Sequence, residues 1–202
     1  MLPALFYPAG QIRRVLVLGV GGGAVIRLLK TYAAPENIIG IELNAQHINL
    51  ARRFFGISGK AVSLVHEEAV HWLQHYAGPP FDMIIDDLFG EQNGEPVRAV
   101  ELDSKWFALL NRHLTGHGVI VANTVYRDEL KGSAYMTSRR IASMFNAAYT
   151  FTLPTYENTV AAFFKSSVMK KDLTERIAAI PHNAEKNALL KLQFQIRRLK
   201  WD

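Results

Sequence analysis

Apolar and polar positions alternate along the chain in two rhythms. Continuous apolar runs lie at Val15–Leu18, Ile38–Ile41, Ala61–Val65, Phe81–Ile85 and Val119–Ala122. Unbroken runs of this length predict strands covered on both faces. Between them lie stretches of helical length and spacing, Val25–Tyr32, Ala45–Phe54, Ala69–Tyr76 and Ser104–Leu114. Regular strand–helix alternation predicts an α/β fold with a doubly wound, mostly parallel sheet and right-handed crossovers. The rhythm changes after Asn123. Tyr135–Tyr149 reads as a helix, and Phe151–Leu153 and Val160–Lys165 read as strands around Pro154-Thr-Tyr-Glu-Asn158. Such a hairpin would close the sheet with an antiparallel strand. Helix is expected again from Asp172, where Leu189, Leu192, Ile196 and Leu199 form one apolar stripe.

Chemistry-bearing residues cluster at the ends of the predicted strands. Val15-Leu-Val-Leu-Gly-Val-Gly-Gly-Gly-Ala24 is a strand running into a glycine turn, and Ile38-Ile-Gly-Ile-Glu42 is a strand tipped by a carboxylate. Gly19, Gly21, Gly22 and Gly23 would let backbone approach a ligand, and Glu42 can accept from both hydroxyls of a ribose. The spacing Gly19-x-Gly21-x-x-Ala24 also fits a dinucleotide fingerprint, so an NAD-dependent oxidoreductase is one alternative. Glu68 beyond the third strand, placed to accept from an adenine amino group, and the closing hairpin favour a sulfonium nucleoside such as S-adenosylmethionine. The other reading of Glu68 is an acid at a helix N-terminus.

At the fourth strand end, Asp86, Asp87, Glu91 and Glu95 make a negative field suited to a cationic amine. Asp86 or Asp87 could instead cap the following turn. Gly90-Glu-Gln-Asn-Gly-Glu-Pro96 reads as a polar loop positioned over the site. His66-Glu-Glu-Ala-Val-His71 misses the zinc-helix spacing by one residue, and no metal is expected.

The bulk numbers narrow the classes further. The chain has 202 residues, 49% of them hydrophobic, enough for one domain with its own core. There are no cysteines, so disulfides, thiolate metal sites and thiol nucleophiles are excluded. No apolar run reaches the roughly 20 residues a membrane span needs, and no signal peptide is evident, so a cytoplasmic protein without a membrane partner is expected. The net charge of +5 sits in residues 161–202, with nine Lys and Arg against four Asp and Glu. That basic segment is expected to be the solvated face of a packed helix. Nucleic acid is not the expected partner, and a homodimer seam along the apolar stripe is the alternative use.

From about Val15 to Lys165 the residues resemble the spermidine synthase family, aminopropyltransferases on the class I S-adenosylmethionine-dependent methyltransferase fold. The family's Gly-Gly-Gly-Asp-Gly-Gly motif, with an Arg shortly after, falls on Gly19-Val-Gly-Gly-Gly-Ala24 and Arg27. Its ribose acid falls on Glu42 and its adenine-contacting acid on Glu68. Its Asp-Ser-Ser-Asp-Pro motif falls on Asp87-Leu-Phe-Gly-Glu91, which makes Asp87 the catalytic Asp. A Gln ending the fifth strand falls on Asn123, and Pro-Thr-Tyr-Pro-Ser-Gly falls on Pro154-Thr-Tyr-Glu-Asn-Thr159, which puts the amine-contacting Tyr at Tyr156. Two positions depart. Gly22 stands where the family has the Asp that holds the aminopropyl amine, and Gly90 stands where it has its second catalytic-motif Asp, with Glu91 beside it as a substitute. The family's N-terminal strand domain and its Tyr-His-Glu segment have no counterpart in these residues.

The resemblance implies a seven-stranded methyltransferase-like Rossmann sheet. Residues 1–168 would form the nucleoside-binding transferase domain and residues 169–202 a basic helical segment packed on it. It implies transfer of an aminopropyl or methyl group from decarboxylated S-adenosylmethionine or S-adenosylmethionine to an amine, a polyamine for example. The product nucleoside would be methylthioadenosine or S-adenosylhomocysteine. The assignments are Asp87 as catalytic residue, Asp86, Glu91, Asn123 and Tyr156 on the acceptor, and Gly19, Gly21, Gly22, Gly23, Glu42 and Glu68 on the nucleoside. A non-catalytic nucleoside-binding scaffold is the competing class.

Overall fold

The computed structural model describes residues 1–180 and 193–200. A 3-10 turn over Leu2–Phe6 leads into β1 (Arg14–Leu18), α1 (Ala24–Tyr32), β2 (Asn37–Glu42), α2 (Ala45–Phe55), β3 (Val62–His66), α3 (Ala69–His75) and β4 (Phe81–Asp86). A short pair of strands follows, β5 (Phe89–Gln92) and β6 (Glu95–Arg98). Then come α4 (Ser104–Arg112), β7 (Leu114–Thr124), the short helices α5 (Arg127–Gly132), α6 (Ala134–Thr137) and α7 (Arg139–Ala142), β8 (Ala147–Thr152), β9 (Thr159–Phe164), α8 (Lys170–Ala178) and β10 (Gln195–Arg198).

Eight strands form the main sheet in the order β10-β8-β9-β7-β4-β1-β2-β3. Those from β7 to β3 pair in parallel, and β9, β8 and β10 add on antiparallel. Side chains alternate between two cores. Val15 and Val17 of β1 pack with Leu5, Phe6, Ile26, Leu29 and Phe164, while Leu16 and Leu18 pack with Leu73, Trp106, Phe107 and Phe163. Burial on both faces explains why the parallel strands read as unbroken apolar runs. Chain order reverses between β1 and β4, and a crevice opens at such a switch point, outside the strands' carboxyl ends.

The structure corrects three expectations. Residues 90–96 are not an open loop. β5 and β6 pair antiparallel, with Phe89 opposite Arg98 and Glu91 opposite Pro96. Asn93 and Gly94 turn the hairpin with φ of 55° and 84°, the two positive values a type I′ turn needs. The helix expected over Tyr135–Tyr149 is broken at the extended Ser138 into α6 and α7 and ends at Ala142. Ala147-Ala-Tyr-Thr-Phe-Thr152 is a strand held between β9 and β10, where its aromatic and β-branched side chains fit a pleated surface.

The sheet also has one strand more than the seven expected, because the last described segment is not helical. Ile196 lies in β10 opposite Phe151, and the Leu199 N–H donates to the Ala148 carbonyl. Leu189 and Leu192 of the expected stripe lie outside the described residues. Helix does occur at α8, whose Leu173 joins the core containing Leu5 and Phe6. Among the described C-terminal residues, α8 thus packs on this core and β10 pairs into the sheet. Among the described residues, no helix is long and apolar enough to cross a membrane.

Candidate functional site

β1 delivers its chain directly into the glycine turn. Gly19 has a φ of +82°, and a Cβ there would collide with the Asp87 carbonyl oxygen. The Asp87 N–H in turn donates to the Leu18 carbonyl at 2.9 Å. The glycine turn and the end of β4 are thus in backbone contact, which brings Asp87 to the lip of the turn. Gly23, also at positive φ, is the N-cap of α1. Gly22 is faced by the ring of Phe55, with a Cβ position 3.3 Å from that ring. Arg27 lies over the same ring, its guanidinium carbon 5.9 Å from the centroid.

Beside this turn lies a cleft of about 630 Å³, within the roughly 300–1,000 Å³ typical of small-molecule sites. Its walls include Gly19, Gly21, Gly22, Glu42, Glu68 and Asp87 of the residues singled out in the sequence, whereas Gly23, Asp86 and Asn123 do not line it. Apolar surface comes from Ile41, Leu43, Val70, Leu88 and Val100.

Glu42 is only 7% exposed and works on the protein itself. Oε2 accepts from the Val20 and Gly21 N–H groups at 2.9 and 2.8 Å, and Oε1 accepts from the Asn44 N–H at 2.9 Å. His47 lies 3.3 Å from Oε1. Burial alone would push this carboxyl up. The backbone donors and His47 outweigh it and hold the group below the usual carboxylate range. Glu68 lines the cleft as the N-cap of α3, its two oxygens accepting from the Val70 and His71 N–H groups at 2.8 Å each.

The opposite wall depends on side chains. Asp87 is half-buried, and its Oδ1 accepts from Asn123 Nδ2 at 2.9 Å. Asn123 Oδ1 accepts in turn from Asn158 Nδ2 at 2.9 Å. Burial pushes the Asp87 carboxyl up, while Asn123, Arg98 and the Met1 amine pull against that shift.

Asp86 requires a correction, because it does not face the cleft. It is fully buried, and its Oδ2 accepts from Arg98 Nη2 at 2.6 Å and Trp106 Nε1 at 2.8 Å. Burial pushes its carboxyl up against the pull of Arg98 and Trp106. Arg98, with a side chain 5% exposed, also donates to the Asn123 and Val100 carbonyls. It ties the hairpin to the ends of β4 and β7. Asp86 is thus the buried anchor of the hairpin rather than a substrate ligand.

Glu91 is exposed on the hairpin. It shares a face with Phe89, which lines the cleft, and with Arg98 opposite Phe89. Tyr156 is 65% exposed and does not line the cleft. The same loop carries Asn158, which reaches Asn123 and does not line the cleft. Arg98, Asn158 and His47 were not singled out from the sequence. The Asn93-Gly94 turn was the available signal for Arg98, since a two-residue turn there sets it opposite Phe89.

Comparison with known proteins sharpens this picture. Residues 2–176 match the family model for the spermine/spermidine synthase domain. Polyamine aminopropyltransferase 2 of Caldanaerobacter subterraneus is 27% identical over 188 residues, covering 85% of this chain and 61% of that protein. Polyamine aminopropyltransferase of Mycobacterium tuberculosis is 32% identical over 163 residues, covering 74% of this chain and 29% of that protein. The chain therefore spans less than two thirds of these relatives.

Among solved structures, a spermidine synthase in complex with the transition-state analogue AdoDATO superposes with a TM-score of 0.67 at 18% identity, over 90% of this chain and 63% of that one. Human methyltransferase-like protein 13 in complex with SAH superposes at 0.69 and 16% identity, over 90% of both chains. At these identities the superpositions establish the methyltransferase-like fold. The match across most of the sequence, together with a cleft at the switch point, makes the chain a member of the spermine/spermidine synthase family.

Proposed function

We propose that the cleft binds an S-adenosyl nucleoside and transfers an alkyl group from its sulfonium to an amine acceptor, with aminopropyl transfer as the leading reaction. The observation that carries this reading is the placement of Asp87. It is a half-buried carboxylate with one oxygen held by Asn123, at the lip of a glycine turn, in the same cleft as Glu42. The relatives named polyamine aminopropyltransferase support the same assignment.

The nucleoside fits on specific terms. The ribose hydroxyls would meet Glu42 on its Oε1 side, where half-exposed His47 is the contact able to swing away. The Oε2 side keeps the glycine turn in shape through Val20 and Gly21. The adenine would lie against Ile41, Leu88 and Val100, with its edge toward Glu68 and Val70. The bound nucleoside supplies a carbon activated by the sulfonium.

In line attack by an amine needs that nitrogen held about 3 Å from the carbon in a water-poor site. A carboxyl near pKa 4 is a weak base toward an amine near 10. Asp87 therefore acts by orienting the ammonium and receiving its proton as attack proceeds. Glu91, on the hairpin face turned toward the strand ends, suits a second ammonium of a longer amine. A methyl-transfer reading is favoured by one observation. The turn at Gly22 meets the Phe55 ring and itself carries no side-chain acid for a donor ammonium, while backbone N–H groups at Gly21 to Gly23 suit the carboxylate that S-adenosylmethionine has and its decarboxylated form lacks.

Calorimetry with S-adenosylmethionine, decarboxylated S-adenosylmethionine, methylthioadenosine and NAD, followed by turnover with putrescine, tests the reading. Preference for the decarboxylated donor and release of methylthioadenosine are expected. Release of S-adenosylhomocysteine would select methyl transfer, binding without turnover a scaffold, and NAD binding alone an oxidoreductase.

A further inference from the structure

We infer that Asn158 is a positioning residue for Asp87, acting through the amide of Asn123. The inference uses the transfer reading only for the role of Asp87; the geometry stands apart from it. Two hydrogen bonds of 2.9 Å run in one direction, from Asn158 Nδ2 to Asn123 Oδ1 and from Asn123 Nδ2 to Asp87 Oδ1. A primary amide has a donor end and an acceptor end, and either can face a neighbour. The neighbours decide which. In the structure Asn158 presents its N–H end, and Asn123 turns its oxygen toward Asn158 and its N–H toward Asp87, the arrangement an ionised, acceptor-only carboxylate also requires. An ionised Asp87 is thereby supported on one oxygen, and the other is left for an ammonium. The backbone is fixed independently, because the Arg98 guanidinium holds the Asn123 carbonyl.

The consequence is a link between the β8–β9 loop and the charge state of a carboxylate at the end of β4. In the Asn158→Asp variant the loop offers only acceptors. The Asn123 amide then turns over, its oxygen meets Asp87, and Asp87 is best satisfied as the protonated acid. Other charges around Asp87 are the Asp86–Arg98 pair from β4 and β6 and the Met1 amine from the N-terminal turn. Glu42, Glu67, Glu68 and His47 line the cleft across from it, and Glu157 sits exposed beside Asn158. These groups are common to the chain and the variant; the new carboxylate at position 158 adds its own repulsion on Asp87, which the Asn123→Ala background separates from the effect of the amide.

The test is carbon-13 NMR titration of the aspartate carboxyls in the ligand-free chain, with the Asp87 signal assigned by its loss in Asp87→Asn. Asn158→Asp is expected to raise the Asp87 midpoint by about one pH unit, a tenfold change in proton affinity. The same substitution in an Asn123→Ala background is expected to keep less than half of that shift, since the amide that carries it is gone. No upward shift, or half or more of it persisting without Asn123, overturns the inference. If Asn158→Asp does not fold, Asn158→Ala is run through the same cycle with a smaller upward shift and the same criterion. Because no nucleoside or turnover is involved, failure of the transferase reading leaves this measurement intact. If both hold, the acid limb of the transfer pH profile moves up by the same amount.

Discussion

The two walls of the cleft are built on different principles. The wall proposed to take the nucleoside, called the nucleoside wall below, comes from the turn after β1 and the end of β2, and its backbone N–H donors gather on the Glu42 carboxylate. The wall proposed to face the acceptor is assembled from side chains at the end of β4 and on β6, β7 and the β8–β9 loop, which meet only in the folded chain. One wall is built mainly from backbone groups. The other is a relay in which each member is held by the next.

That contrast yields predictions of decreasing size. Asp87→Asn should cut turnover by about 10²–10⁴-fold, the usual worth of a positioned proton acceptor. Nucleoside affinity measured by calorimetry should stay nearly unchanged, because the nucleoside wall is untouched. Equal loss of both would erase the distinction between the walls.

Arg98→Ala should destabilise the fold by about 3–5 kcal/mol in denaturant titration, the scale for stranding a buried ion-pair partner, here Asp86. A loss under about 1 kcal/mol would mean that the hairpin is not anchored through this pair. Glu42→Gln should weaken nucleoside binding by about 1.5–3 kcal/mol, the range for hydrogen bonds to a charged group, while leaving turnover at saturation near that of the unaltered chain. A fall in saturated turnover as large as the fall in affinity would place Glu42 in the chemistry rather than in binding.

The smallest effect concerns pH. The folded Glu42 carboxyl lies below its ordinary value of 4.5, so its stabilising contribution is complete above that value. It is lost as pH falls through the lower, folded-state value. Unfolding free energies of the chain and of Glu42→Gln should therefore converge in acid and separate toward neutrality. Parallel curves would show that Glu42 gains nothing from its backbone donors.

The same division explains how much was legible in the sequence. The parallel strands were placed to within a residue or so at most ends, because double-sided burial writes an unbroken apolar run. The places of Gly19 in a turn and of Glu42 at a strand end were legible because a positive-φ turn and an acid at a strand tip are local demands. Asp86 was misplaced because adjacent residues on a strand point to opposite sides. Only the fold reveals that Arg98 and Trp106 wait on the side where Asp86 turns. Asn158 was hidden because its partner is 35 residues away. Ile196 was read as helical because a short edge strand carries too few residues to distinguish period 2 from 3.6.

β10 has a bearing on solubility. It occupies the outer rim of β8, where Thr150 and Phe151 face Arg197 and Ile196 across the ladder. Bared, that rim would offer a row of amide groups flanked by aromatic side chains, a ready template for another chain. Two consecutive arginines on the capping strand put like charges along the new border instead. Damage to this strand would show first as clumping in concentrated solution, well before the distant cleft lost its shape.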